Sequence, residues 1–265
     1  MSVAFSSAAL RTAAGFWAVV AVTGQLIFAF YVALFYGRGA ASGDLAAWNK
    51  TMPHGYVAGD GLGNFAVGLH LALAVSIILA GALQLVPPLR ERYPAVHRWT
   101  GRAYMGVAML ISLDGLFMVW TRGTVGGLTQ HLGISLNAVL IMVCAVMALY
   151  YARARRFAEH RRWALRLFLV SSGVWFFRVG LMLWLAIHRA PVGFDPKTFE
   201  GPFLTFLGFA QYLLPPAVLE LYLLAERGRP VARLAMAGGL VVLTLATGAG
   251  IGAATMGLWL PRLAS

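Results

Sequence analysis

Four histidines of this 265-residue chain recur as two couples of nearly equal spacing: His70 with His97, and His131 with His160. In each couple the first histidine opens an apolar run, "HLALAVSII" or "HLGISLNAV". The second stands beside arginine and tryptophan, in "VHRWTGRAYM" (96–105) or "EHRRWALRLF" (159–168). Imidazole is neutral near pH 7, fits an apolar interior and binds iron. Two imidazoles on facing helices can take both axial positions of one haem, which leaves no open site and suits electron transfer. The expected iron ligands are His70 opposite His131 and His97 opposite His160, for one haem b or two. Arg98, Arg102, Arg161, Arg162 and Arg166 crowd the second layer and can give the propionates charge-assisted hydrogen bonds. The first layer has only Arg122 and Lys50 as obvious candidates. A histidine near a helix end can also simply rest at headgroup level, and basic boxes that touch only lipid phosphate would read the same way.

The elements that must position these residues are membrane spans. The chain is 60% hydrophobic and 11% charged, which excludes a disordered protein and argues against an ordinary soluble domain. Seven apolar runs, at about 13–36, 65–89, 103–121, 132–151, 164–187, 202–225 and 234–260, approach or exceed the roughly 20 residues needed to cross a bilayer core of about 30 Å. The expected fold is an all-α polytopic membrane bundle of seven helices in a single domain, 1–265. Its four-helix core, spans two to five, covers about 65–188. The first run, with Gln25 in it, reads as an uncleaved anchor.

The net charge of +12 is unevenly placed. Arg11, four arginines in 90–102, six in 152–166 and three in 226–233 fall on one side of the spans. The other side holds Arg38, Lys50, Arg122, Arg189, Lys197 and Arg262. Alternation of this kind is a topology signal and predicts a cytoplasmic N-terminus and an outer C-terminus. The basic loops then need no nucleic acid, only anionic lipid headgroups. The single cysteine, Cys144, excludes an intrachain disulfide and a CxxC pair, and reads as a small apolar filler.

The two hairpins share one orientation, so they form a parallel repeat about a pseudo-twofold axis along the membrane normal. The axis sets His70 across from His131 and His97 across from His160, in layers on the order of 20 Å apart. Pro94 suits the first position of the third span, which would make His97 helical. Four further polar groups fall inside the spans, where such groups usually line a functional interior. Asp114 and Arg178 are expected to be able to pair. Gln84 and Glu220, each near a Pro-Pro step, could flank a quinone or a proton site. The Gly-rich connection 37–64 reads as a lid or a surface loop with Trp48 and Tyr56 at the membrane surface, and "GDGLGN" (59–64) lacks the strand a nucleotide site needs.

Three stretches carry a resemblance. "HLALAVSIILAGALQ" (70–84), "RERYPAVHRWTGRAY" (90–104) and "HRRWALRLFLVSSGVWFFR" (160–178) resemble the bacterial membrane proteins that carry the domain of unknown function 2306, over roughly residues 65–225. The resemblance implies a multipass protein of the bacterial cytoplasmic membrane and no mechanism. After Trp163 the chain has Ala-Leu-Arg-Leu where that family's Met-Ile-Arg-Ser run is expected, with Arg166 kept. A more distant likeness, of "HRWTG" (97–101) to the His-Ser-Trp-Leu-Gly box of ascorbate-reducible di-haem b-type cytochromes, implies haem ligands at His70, His97, His131 and His160.

Three classes of function stay open at this level. The first is a haem b-binding electron-transfer oxidoreductase subunit working with a quinone or a redox partner protein. The second is a cofactor-free transporter or channel along Asp114, Arg178 and Glu220. The third is an assembly subunit that anchors partners through its basic loops. The substrate and the oligomeric state are not legible.

Overall fold

The structure is a computed structural model that describes residues 2–264. Ten α-helices account for most of them: α1 Val3–Ser42, α2 Gly61–Gln84, α3 Pro87–Arg92, α4 Pro94–Arg122, α5 Gly127–Arg153, α6 Phe157–Ser171, α7 Gly173–His188, α8 Pro202–Arg227, α9 Pro230–Ala254 and α10 Leu260–Ala264. A 3₁₀ turn spans Leu45–Lys50, and a π-helical turn, Thr255–Trp259, joins α9 to α10. Six helices are long and apolar enough to cross a membrane, or seven if the bent pair α6–α7 is counted as one span. The fold is an all-helical polytopic bundle, as the seven apolar runs predict.

Prolines mark the boundaries. Pro94, Pro202 and Pro230 each stand in the first turn of a helix, where the missing N–H has no intrahelical partner to lose. Pro87 and Pro88 open α3 instead of kinking α2, and Pro215–Pro216 are carried inside α8.

Helices α2, α4, α5 and α6 form one group in which α2 packs on α4, α4 on α5 and α5 on α6. Across it, the Tyr104 hydroxyl of α4 lies 2.8 Å from Ser171 Oγ of α6. Ile77, Ala108, Ile141, Cys144, Leu167 and Val170 fill the space between the four. Gly81 lets α2 close the ring, since a Cβ there would stand 3.2 Å from Tyr104 and 3.4 Å from Phe168. α1 packs on α9 and α2, and α9 on α7, around Phe28, Tyr31, Trp175, Ile251 and Trp259. Gly24 permits that crossing, because a Cβ there would meet Ile251 and Trp175 at under 3.0 Å.

The fifth span is broken where a single apolar run is read. α6 and α7 meet at 52° across Ser172. Ser171 and Ser172 both donate to the Phe168 carbonyl, at 3.1 and 2.7 Å, in competition with the helical backbone bonds. Gln25 of α1 donates to Ser172 Oγ at 3.0 Å and holds the bend from outside.

The connection 37–64 stays largely exposed but is tied down by hydrogen bonds. α1 continues to Ser42. Trp48 is buried, not at the surface, and its indole N–H donates to the Tyr36 carbonyl at 3.0 Å. Asn49 exchanges two bonds with Tyr56, and Asn64 exchanges two with Val57. Arg122 ties the whole loop to the end of α4. It reaches Asp60 at 2.7 Å, Asn64 at 2.8 Å and the carbonyls of His54 and Gly55 at 2.8 and 3.1 Å.

Candidate functional site

At the basic end, the first turns of α4 and α6 carry His97 and His160. The His160 Nδ1–H donates to the Ala148 carbonyl at 2.9 Å. A carbonyl only accepts, so this bond fixes the proton on Nδ1 and leaves Nε2 of the neutral ring with its lone pair. His97 lies in the neighbourhood of Arg90 and His160. Its Nδ1 is buried and has no partner among the described residues. The two imidazoles thus stand in the first turns of two helices at the same end of the bundle.

The arginines around it are partly committed. In both boxes an arginine stacks on the tryptophan three residues before it: Arg102 over Trp99 at 4.8 Å and Arg166 over Trp163 at 4.6 Å. This i,i+3 cation–π contact is a second repeat feature, and its signal, W-x-x-R, is plain in both boxes. Arg166 also pairs with Glu220 of α8, Nε to Oε1 at 2.8 Å. Arg161 lies near the Tyr222 hydroxyl. Arg98 and Arg162 form no ion pair among the described residues.

The other couple is not face to face. His70 of α2 lies against α4 at the level of Asp114 and Gly115, with Nδ1 2.9 Å from Asp114 Oδ2. His131 of α5 lies against α4 at Trp120 and Gly123, edge-on to the indole at 5.9 Å, and donates Nδ1–H to the Gly127 carbonyl at 2.7 Å. The two rings therefore sit about eight residues apart along one helix, or about 12 Å. A metal ion takes imidazole nitrogens at about 2 Å each, so the couple expected to share a haem does not share one in this arrangement. The reason is the order of packing: α4 packs on both α2 and α5 and stands between them. Arg122, expected near a propionate, is buried and wholly engaged by the 54–64 loop.

The intramembrane polar groups pair differently from the sequence expectation. Asp114 takes His70, not Arg178. The bend at Ser172 carries α7 away from α4 and sets the Arg178 guanidinium over Phe28 of α1, at 5.1 Å from the ring centre. Gln84 donates to Thr100 of α4 at 2.7 Å, while Glu220 holds Arg166 of α6, so each is engaged with a different partner. The His70–Asp114 pair is the contact that sequence reasoning missed. Its signal was depth: the two lie nine and eight residues from the same ends of adjacent antiparallel helices.

Long apolar helices, polar groups paired within the spans and basic connections at one end together define a polytopic helical membrane protein. Residues 67–196 match the family described as "Predicted membrane protein (DUF2306)". The matched stretch contains both histidine couples, Asp114 and Arg178. No curated protein and no solved structure matches the chain.

Proposed function

We propose that the protein is an electron-transfer subunit of the bacterial cytoplasmic membrane that holds a b-type haem at its basic end, between His97 and His160. One observation carries the reading. Two imidazoles stand at the same end of α4 and α6, one with its Nε2 set free by a carbonyl bond and the other with a buried, unpartnered Nδ1. A metal-binding histidine commonly has its second nitrogen fixed in this way. His97 and His160 would hold the iron. Arg98 and Arg162, free of ion pairs among the described residues, would neutralise the propionates. The group supplies one-electron transfer, and two protein ligands leave the iron no open position. A quinone or a redox partner protein is the corresponding electron donor or acceptor. The basic end faces the cytoplasm in this reading.

Absorption spectroscopy tests it. Protein purified from haem-replete cells is expected to show a Soret band, with sharp α and β bands after dithionite. His97→Ala and His160→Ala should each remove them, whereas His70→Ala and His131→Ala should leave them. A colourless preparation with a negative pyridine haemochrome assay rules the reading out.

The His70–Asp114 pair favours a second reading, a transporter in which this pair carries a proton through the span. A carboxylate and an imidazole in contact inside a membrane are costly and commonly mark an ion path. Uptake into proteoliposomes that is lost in Asp114→Asn, by a colourless protein, would select it.

A further inference from the structure

Arg178 lies within a span, yet it forms no ion pair among the described residues. One of its nitrogens donates to the Val174 carbonyl at 3.1 Å, and its guanidinium lies over Phe28. A guanidinium has five N–H donors, so most are left over. Among the described residues no acidic side chain pairs with Arg178, and Tyr31, Tyr36 and Arg262 lie near it. The Trp259 ring packs on Phe28 at 5.4 Å and on Tyr31 at 6.3 Å. Trp259 is 1% exposed, and its indole N–H has no acceptor. The same holds for Trp175, three residues before Arg178 and 2% exposed. Thr255 Oγ1, at the other end of the turn that Trp259 closes, is also buried and unpartnered. That turn is π-helical, a distortion that recurs at functional sites.

Buried donors without acceptors are costly, and a cation in a span without a counter-charge is more so. Trp175 and Trp259 share one core cluster with Phe28, and Arg178 lies over Phe28 beside it, so a group rich in anionic oxygen next to Arg178 would relieve this part of the bundle. Tyr31 and Tyr36 place the cluster between about 9 and 16 Å below the end of α1, within reach of the headgroup region for a long side chain. Arg178 is partly exposed, while the neighbouring Met256 and Leu260 are exposed and apolar. A ligand arriving from that side must be amphipathic.

We propose that Arg178, with the donors of Trp175, Trp259 and Thr255 around it, binds the phosphate of an anionic membrane lipid at the end of the bundle opposite the basic loops. The site is separate from the His97–His160 couple, and its test does not depend on colour. Native mass spectrometry of the full chain in detergent compares phosphatidylglycerol, phosphatidylcholine and inorganic phosphate. Phosphatidylglycerol should bind one to one and about tenfold more tightly than phosphatidylcholine, the worth of one charge-assisted hydrogen bond. Arg178→Gln should abolish that preference, Arg178→Lys should keep part of it, and Lys197→Gln should keep all of it. Trp259→Phe, which removes the indole donor and keeps a ring, should weaken the lipid several-fold. Equal binding of the two lipids overturns the proposal, as does a preference that survives Arg178→Gln, or Trp259→Phe if the glutamine variant does not fold. Displacement of the lipid by an equal concentration of inorganic phosphate would make the ligand the free ion and overturn the lipid assignment.

Discussion

At the scale of single residues, the histidines divide by what holds their Nδ1. His131 and His160 give theirs to backbone carbonyls, and His70 gives its own to a carboxylate. The last contact joins two helices, whereas the Gly127 bond of His131 stays within one. Spacing could place all four rings on helices but could not show which oxygen each would find, because that depends on how far α4 leans toward α6. The Asp114–Arg178 pair was a reasonable expectation for two opposite charges at similar depth. A two-serine bend, too short to interrupt the hydropathy of the span, is what separated them. Asp114 is 10% exposed in its side chain and His70 31%. Removing either partner should therefore leave the other poorly satisfied, at about 1–3 kcal/mol. Removing both should cost less than the sum. A double-mutant cycle with His70→Leu and Asp114→Leu, followed by thermal unfolding in detergent, is expected to give a coupling of about 1 kcal/mol. Strictly additive losses would mean that the 2.9 Å contact contributes nothing to stability.

The elements show how a connection that reads as loop can serve as structure. Gly-rich composition between two apolar runs suggests a lid, and the composition of 37–64 does suggest one. The information that overrides it lies outside the segment, in Arg122 at the end of α4, and no local pattern announces that a residue sixty positions away will tie the loop. Arg122 is 6% exposed in its side chain and is held by Asp60 and Asn64 and by two carbonyls. The guanidinium beside Asp60, helped by the Gly63 N–H, holds the Asp60 carboxyl below its ordinary value. The sign follows from linkage. A folded-state value below the unfolded one stabilises the protein above the ordinary carboxylate range, and that stabilisation is lost as pH falls through the depressed value. Melting temperature should thus be flat above about pH 5 and should drop below about pH 4. Asp60→Asn should lower it near neutrality and flatten the acid limb. Equal acid limbs in wild type and Asp60→Asn would show that Arg122 does not depend on the charge of Asp60.

For the whole molecule, the number of spans and the all-helical class were legible because bilayer thickness translates directly into run length, and seven runs of the right length leave little choice. The parallel repeat was legible in the boxes and reappears as paired Trp–Arg stacks. The outer histidines take different partners, His70 the Asp114 carboxylate and His131 the carbonyl of Gly127. The same charge asymmetry that gives the repeat its basic end also makes a statement about orientation. Helices α3 and α6 and the α8–α9 connection carry their arginines at one end, and the connection 189–201 lies at the other. If the positive-inside bias governs insertion, the basic end stays in the cytoplasm. Cys144 is buried among Ile141, Ala145 and Leu167, so Cys144→Ala should be tolerated and gives a background without thiols. Two exposed positions then report on the two ends: Arg92 in α3 and Lys197 between α7 and α8. In intact cells a membrane-impermeant maleimide should label Lys197→Cys and spare Arg92→Cys until the membrane is opened with detergent. The reverse pattern would invert the bundle, move the His97–His160 couple to the outer face, and remove the cytoplasm as the side from which electrons enter it.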